Sequence, residues 1–147
     1  MIQFKKYSEE YLNAAISVFR SNVPDYFFEW EEQDLIADIP DFKDTYFVLL
    51  LNGHVAGAGG YALNENGTVA LCWGMVHHEY HKQGLGKALL EFRLHEIKKE
   101  FHGKTIVNTT SQRASGFFKN YGFKLINIKE NTINPALTTC EMELKTN

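Results

Sequence analysis

The chain has 147 residues, 44% of them hydrophobic and 14% aromatic, with a net charge of −3. That length suits a single domain over 1–147, and that composition excludes an intrinsically disordered chain. The acidic balance argues against nucleic acid as a partner, and the lack of any apolar run near about 18 residues argues against a membrane partner.

The opening "MIQFKKYSEEY" has no signal-peptide pattern, so a cytoplasmic location is expected. Residues 1–75 carry four basic and eleven acidic side chains, whereas 76–147 carry eleven and seven. The first half therefore suits a cationic ligand and the second an anionic one. Cys72 and Cys140 lie in apolar runs and are expected as free thiols.

In chain order, "IQFK" at 2–5 predicts a strand, and Ser8 with Glu9 and Glu10 the start of a helix whose face carries Leu12, Ile16 and Phe19. Asn22 and Pro24 end it. Residues 23–44 mix the aromatics Tyr26, Phe27, Phe28 and Trp30 with eight acids and predict a short helix near Glu32–Ile39 between loops. Strands follow at 45–51, 54–63 and 68–76, joined by Asn52-Gly53 and "NENG", an antiparallel meander. Leu90, Leu94, Ile97 and Phe101 form a helical stripe that ends before Gly103. A strand at 104–110, a short helix within 111–122 and two last strands, 123–131 and 137–144, complete the order β-α-α-β-β-β-α-β-α-β-β. The expected fold is α/β (α+β), a mixed and mostly antiparallel sheet with a central β-α-β crossover and flanking helices. An exposed final strand would allow a homodimer.

The stretch "HKQGLGKALLEF" carries the chemistry. Two glycines open a helix, where unpaired N–H groups and the helix dipole attract an anion. Missing side chains let a phosphate approach closely, and Lys82 and Lys87 add charge. The spacing "GLGKAL" fits neither the dinucleotide fingerprint nor the nucleotide P-loop. The run "GAGG" at 57–60 lies within a hairpin strand and reads as a bend or tight packing. "HHEYH" at 77–81 has no ligand spacing that demands a metal, so none is expected.

"MVHHEYHKQGLGKALLEF" resembles the acyl-CoA-binding motif of the GNAT superfamily of N-acetyltransferases, through Val76, Tyr80, Gln83, Gly84, Leu85 and Gly86. "ASGFFKNYGF" resembles its second signature through Ala114, Gly122 and Phe123. The resemblance implies acetyl-CoA as co-substrate. The backbone of Gly74, Met75 and Val76 would meet the pantetheine arm, and the N–H groups of Gln83, Gly84, Leu85, Gly86, Lys87 and Ala88 the pyrophosphate. The strand that ends at Val76 would splay from 104–110 to admit the acyl group. His81 stands where Arg or Gln is usual, Ser111 where asparagine is, and Phe118 where a frequent tyrosine protonates the leaving thiolate. Ser115 is the candidate acid in its place.

Transfer to an amine needs a base and a donor for the carbonyl oxygen. Glu29 and Glu31 are the candidate bases or amine anchors, Tyr26 and Trp73 candidate acceptor-binding residues, and an N–H near Val76 the oxygen's donor. The implied activity is acetyl transfer from acetyl-CoA to a primary amine, on a small molecule or a peptide. The alternative is a non-catalytic acyl-CoA sensor or interaction module of the same fold.

Overall fold

The computed structural model describes residues 1–135 and 138–146. The expected element order is present: β1 (Ile2–Lys6), α1 (Leu12–Ser21), α2 (Glu31–Asp38), β2 (Tyr46–Leu51), β3 (His54–Leu63), β4 (Val69–Val76), α3 (Leu85–Glu100), β5 (Ile106–Ser111), α4 (Ser115–Lys119), β6 (Lys124–Lys129) and β7 (Thr139–Leu144). Short 3-10 turns precede α1 and α4 and occupy Ile39–Thr45. The expected start of the last strand at 137 lies outside the described residues.

One seven-stranded sheet runs in the order β1-β2-β3-β4-β5-β7-β6. Every pairing is antiparallel except β4–β5, which the α3 crossover makes parallel. Asn52 (φ 51°) and Gly53 (φ 85°) both adopt the left-handed conformation that a tight hairpin between β2 and β3 needs. The final strand is not the exposed one. β7 inserts between β5 and β6, so its hydrogen-bonding groups are used on both sides and β6 forms the edge.

Alternation along the strands divides the core. Tyr46, Val48 and Leu50 of β2 pack with Ala15, Val18, Phe19, Leu35 and Ile39 of the α1–α2 side. Phe47 faces the opposite way, with Tyr61, Val69, Leu71 and Ile106, against Leu90 and Ile97 of α3. Burial of each such side chain is worth roughly 1.5–3 kcal/mol, which holds both helical layers on the sheet. The buried face of α3 comprises Leu85, Leu89, Leu90, Arg93 and Ile97. That is wider than the sequence stripe, and it includes a charge.

Two irregularities shape the middle of the sheet. Between β3 and β4 the register jumps from Ala58↔Met75 to Gly60↔Cys72, so Trp73 and Gly74 share the space opposite Gly59. This bulge puts Trp73 at φ 42°. Between β4 and β5 only Val69↔Ile106 and Ala70↔Val107 pair. Beyond Ala70 the strands have separated, the divergence that the resemblance implied.

Candidate functional site

Gly84 is the N-cap of α3 with φ 82°, a conformation that disfavours any side chain. A Cβ there would meet nothing within 4 Å, so it is the backbone angle, not crowding, that requires glycine. At Gly86 a Cβ would come no nearer than 4.0 Å to Phe117 Cζ. The space above that glycine is open. Ala88 N–H already bonds Gly84 O at 3.1 Å, which starts the helical ladder. The N–H groups of Leu85, Gly86 and Lys87 precede it and have no intrahelical acceptor, and no side chain caps this end. Lys82 (φ 65°) and Gly84 both turn left-handed around Gln83, which curls the preceding backbone into a concave set of amides. The side chains of Lys82, Gln83 and Lys87 are exposed at its rim. This donor set fits a diphosphate.

The cradle joins directly to the open side of β4. His77 N–H bonds Ala56 O at 2.7 Å, and Met75 pairs with Ala58, so both face β3. By alternation Val76 between them turns its N–H and C=O to the open side. Its carbonyl is already doubly used, by Asn22 Nδ2 at 3.0 Å and by His81 Nε2 at 2.8 Å. His81 Nε2 must carry the proton there, because a carbonyl only accepts. The Val76 N–H is the group left to a ligand. The Met75 side chain is in the core, whereas Gly74 is exposed.

Residues from three segments meet at the mouth of the divergence. The Tyr26 ring lies edge-on to His81 with centroids 5.6 Å apart, and the Arg113 guanidinium sits 5.6 Å from the Tyr26 centroid. Asp25 and Arg113 approach to 3.9 Å. The α1–α2 loop thus spans from the β4–α3 turn to the chain just after β5. Trp73 is held elsewhere, packed on Phe19 and Phe27 with its Nε1 donating to Asp38 Oδ2 at 3.0 Å.

The candidate acids and bases are distributed unequally. Glu31 Oε2 accepts the Phe28 N–H at 2.7 Å at the start of α2. Burial raises its carboxyl above the ordinary range, against the lowering effect of that hydrogen bond. Glu29 is exposed. Glu32 is taken by Arg20 in a two-point contact of 2.6 and 3.0 Å. Ser115 is buried, and its hydroxyl donates to Gln112 O at 2.8 Å. Ser111 Oγ accepts the Ala114 N–H at 3.2 Å and keeps its own proton to donate. Phe118 packs edge-on against Phe123 at 5.6 Å. Among the described residues no group of three His, Cys, Asp or Glu side chains is arranged to hold a metal.

Sequence reasoning missed two residues here. Asn22, read only as a helix stop, is 4% exposed and links α1 to the end of β4. Arg93 lies beneath the bulge. A Cβ on Gly74 would fall 2.6 Å from its Nη2, and one on Gly59 3.3 Å from its Nε. The signal was available, since Arg93 stands four residues after Leu89, three after Leu90 and four before Ile97, within the apolar stripe.

No curated protein sequence matches the chain. Among solved structures, the ribosomal-protein-S18-alanine N-acetyltransferase of Escherichia coli is similar at a TM-score of 0.80 and 22% identity, covering 99% of this chain and 94% of that one. Ard1 from Thermoplasma volcanium is similar at 0.82 and 14%, covering 99% and 98%. An acetyltransferase of the GNAT family from Staphylococcus aureus Mu50 is similar at 0.78 and 18%, covering 99% of each. At these identities the likeness is one of fold. The family model described as acetyltransferase (GNAT) family matches residues 15–123, from α1 to the Gly-Phe that follows α4, and the chain belongs to that family.

Proposed function

We propose that the protein transfers an acetyl group from acetyl-CoA to a primary amine directly, in a ternary complex. The observation that supports this most is the continuity of an open amide cradle at Gln83–Lys87 with the unpaired side of β4. The backbone N–H groups of Gln83, Gly84, Leu85, Gly86 and Lys87 hold the diphosphate, the Ala88 N–H being committed to Gly84 O, and Lys82 and Lys87 add charge. The pantetheine arm runs back along Val76 to Gly74, where the Val76 N–H is the donor that β4 offers. Met75 anchors the strand between them through β3. His81 fixes the Val76 carbonyl, and Ser111 donates from the β5 side.

The amine enters under Tyr26 and the acidic α1–α2 loop, with Trp73 behind it in the core. An alkylammonium, with a pKa of about 10.4, must lose its proton before it attacks. Glu31 is the better placed base of the pair, because burial moves its carboxyl towards the range a general base needs. Glu29, being exposed, suits the anchoring of a cation. With Phe118 at the position of the frequent tyrosine, Ser115 carries the one hydroxyl of α4, and because it donates to Gln112 O it would serve the departing sulfur only by exchanging that bond. The acceptor is a small amine or a peptide N-terminus; one structural relative is named for the N-acetylation of an alanine of a ribosomal protein.

The test has two stages. Acetyl-CoA at a hundred times its dissociation constant is expected to stabilise the fold by about 2.7 kcal/mol. For a chain of this size that raises Tm by roughly 5–10 °C. Thiol release against a panel of amines then reads turnover. No shift in Tm overturns the cofactor assignment, and a shift with no amine-dependent release across the panel turns the reading towards a sensor.

A further inference from the structure

Arg93 is 4% exposed, the only Lys, Arg, Asp or Glu that is buried among the described residues. Among the described residues it forms no ion pair. Its Nη1 approaches Gly60 O at only 3.5 Å, and its Nε has no hydrogen-bond partner among those residues. Burying a cation so poorly satisfied is unfavourable, and an apolar chain of similar length would pack there without that penalty. Yet the sheet is built around it. Gly59 and Gly74 leave out the side chains that would occupy the guanidinium's place. The bulge at Trp73 opens the strand above it, held by the Tyr46 hydroxyl donating to Trp73 O at 2.9 Å. Gly74 is itself exposed and lies on the part of β4 beyond Ala70 that has no β5 partner, so this charge sits against the strand that borders the divergence.

We propose that Arg93 is an electrostatic positioning residue, whose buried charge stabilises the thiolate that departs when the thioester is cleaved beside Gly74. The inference rests on the transferase reading above, which runs the pantetheine arm along β4. In that reaction the amine lone pair forms the N–C bond, and the C–S bond breaks with its electron pair leaving on sulfur. The amine's proton passes to the base. Where a tyrosine would hand the sulfur a proton, this chain has Phe118, so the anion must be met by something else. A fixed positive charge in a low-dielectric surround does this without moving a proton. Cys72 gives a local gauge. Burial pushes its thiol up to about 11, and Arg93 is the influence that opposes the rise. Arg93 itself is lowered by burial to about 10, so it stays charged at neutral pH.

The test uses coenzyme A itself, bound to wild type and to Arg93→Met, with the thiolate read by its ultraviolet absorbance across pH. Wild type should hold the bound thiol at least about one unit lower than the variant does, the effect of an opposite charge nearby. Coenzyme A affinity at a pH where the thiol is protonated, set by the cradle, should be the same in both. Arg93→Met should be as stable as wild type or more so, yet turn over roughly tenfold or more slowly, and Arg93→Lys should recover part of the thiol shift. A purely structural arginine predicts the reverse, lost stability with an unmoved thiol. Equal thiol acidity in the two proteins overturns the proposal, and so does an Arg93→Met that fails to fold. If wild type does not bind coenzyme A at all, it is the transferase reading that fails, and this inference with it.

Discussion

Asn22 and Val76 are 54 residues apart in the chain and joined by one hydrogen bond, from the Asn22 side-chain amide to the Val76 carbonyl at 3.0 Å. The same amide donates to Val18 O at 2.9 Å, while Asn22 O accepts the N–H groups of Tyr26 and Phe27. One residue therefore does three things: its side-chain amide ends α1 and fixes the strand end that faces the cleft, and its backbone carbonyl starts the acidic loop. Asn22→Asp puts carboxylate oxygen against two carbonyl oxygens. Val76 O keeps His81 and Val18 O keeps the Ser21 hydroxyl, so the cost is that of a buried carboxylate facing two acceptors, about 1–3 kcal/mol. That lowers Tm by roughly 2–10 °C, and KM for acetyl-CoA should rise with it. A thermal melt and a cofactor titration check both, and an unchanged melt would retire the link.

Glu31 is expected to show in pH dependence as well as in turnover. Its folded carboxyl is raised by burial above its unfolded value. The stability it contributes is therefore fully present below the unfolded pKa and is lost as pH rises through the folded one. Glu31→Gln removes that loss while its amide oxygen still accepts the Phe28 N–H. The variant's Tm relative to wild type should climb as pH rises from the ordinary carboxylate pKa through the raised folded one. As the base, its loss should lower kcat roughly a hundredfold or more without changing acetyl-CoA affinity. Glu29→Gln, altering an exposed anchor, should act on KM for the amine. Wild-type kcat in Glu31→Gln would show that the carboxylate serves only the start of α2.

How much of this was legible in the sequence follows from which forces are local. Asn52-Gly53 and the Gly84 helix start are set by backbone angle, and both are where the residues predicted them. Element order was readable because the apolar periods of 2 and 3.6 switch cleanly. Strand order was not. That the last strand lies inside the sheet depends on β5 and β6 flanking β7, a long-range pairing no local pattern encodes. Asn22 illustrates the same limit, since its partner at Val76 is invisible until the chain folds. Arg93 was missed for a different reason. A charged residue within an apolar stripe is ordinarily assigned to the surface, and only the bulge at Trp73 and the bare glycines around it make room inside.

Cys72 should be chemically quiet despite its place on β4. Burial raises its thiol to about 11, and below that pH it stays protonated. At pH 8 roughly a thousandfold less thiolate than thiol is present, so alkylation by iodoacetamide should run far slower than for a free cysteine. Peptide mass mapping after timed exposure of the native protein measures this. Modification at the free-thiol rate would mean that the β4 environment is more open than its packing indicates.

The two glycines of the cradle separate folding from binding. Gly84 is held at φ 82°, so Gly84→Ala strains the backbone by about 1–2 kcal/mol and should lower Tm by a few degrees. Gly84→Glu adds charge to that strain and should abolish cofactor binding, with instability mixed into the result. Gly86 is different. It lies inside the first turn of α3 with only Phe117 near its open side, and a carboxylate there is favoured by the helix dipole. Gly86→Glu should therefore keep its Tm, yet place a negative charge where the diphosphate must sit. Affinity for coenzyme A should fall about a hundredfold or more, the outcome of like charges meeting at a desolvated site. Calorimetric titration of the folded variant decides it. Wild-type affinity in Gly86→Glu would move the diphosphate away from this helix, and the path proposed for the pantetheine arm along β4 would lose its starting point.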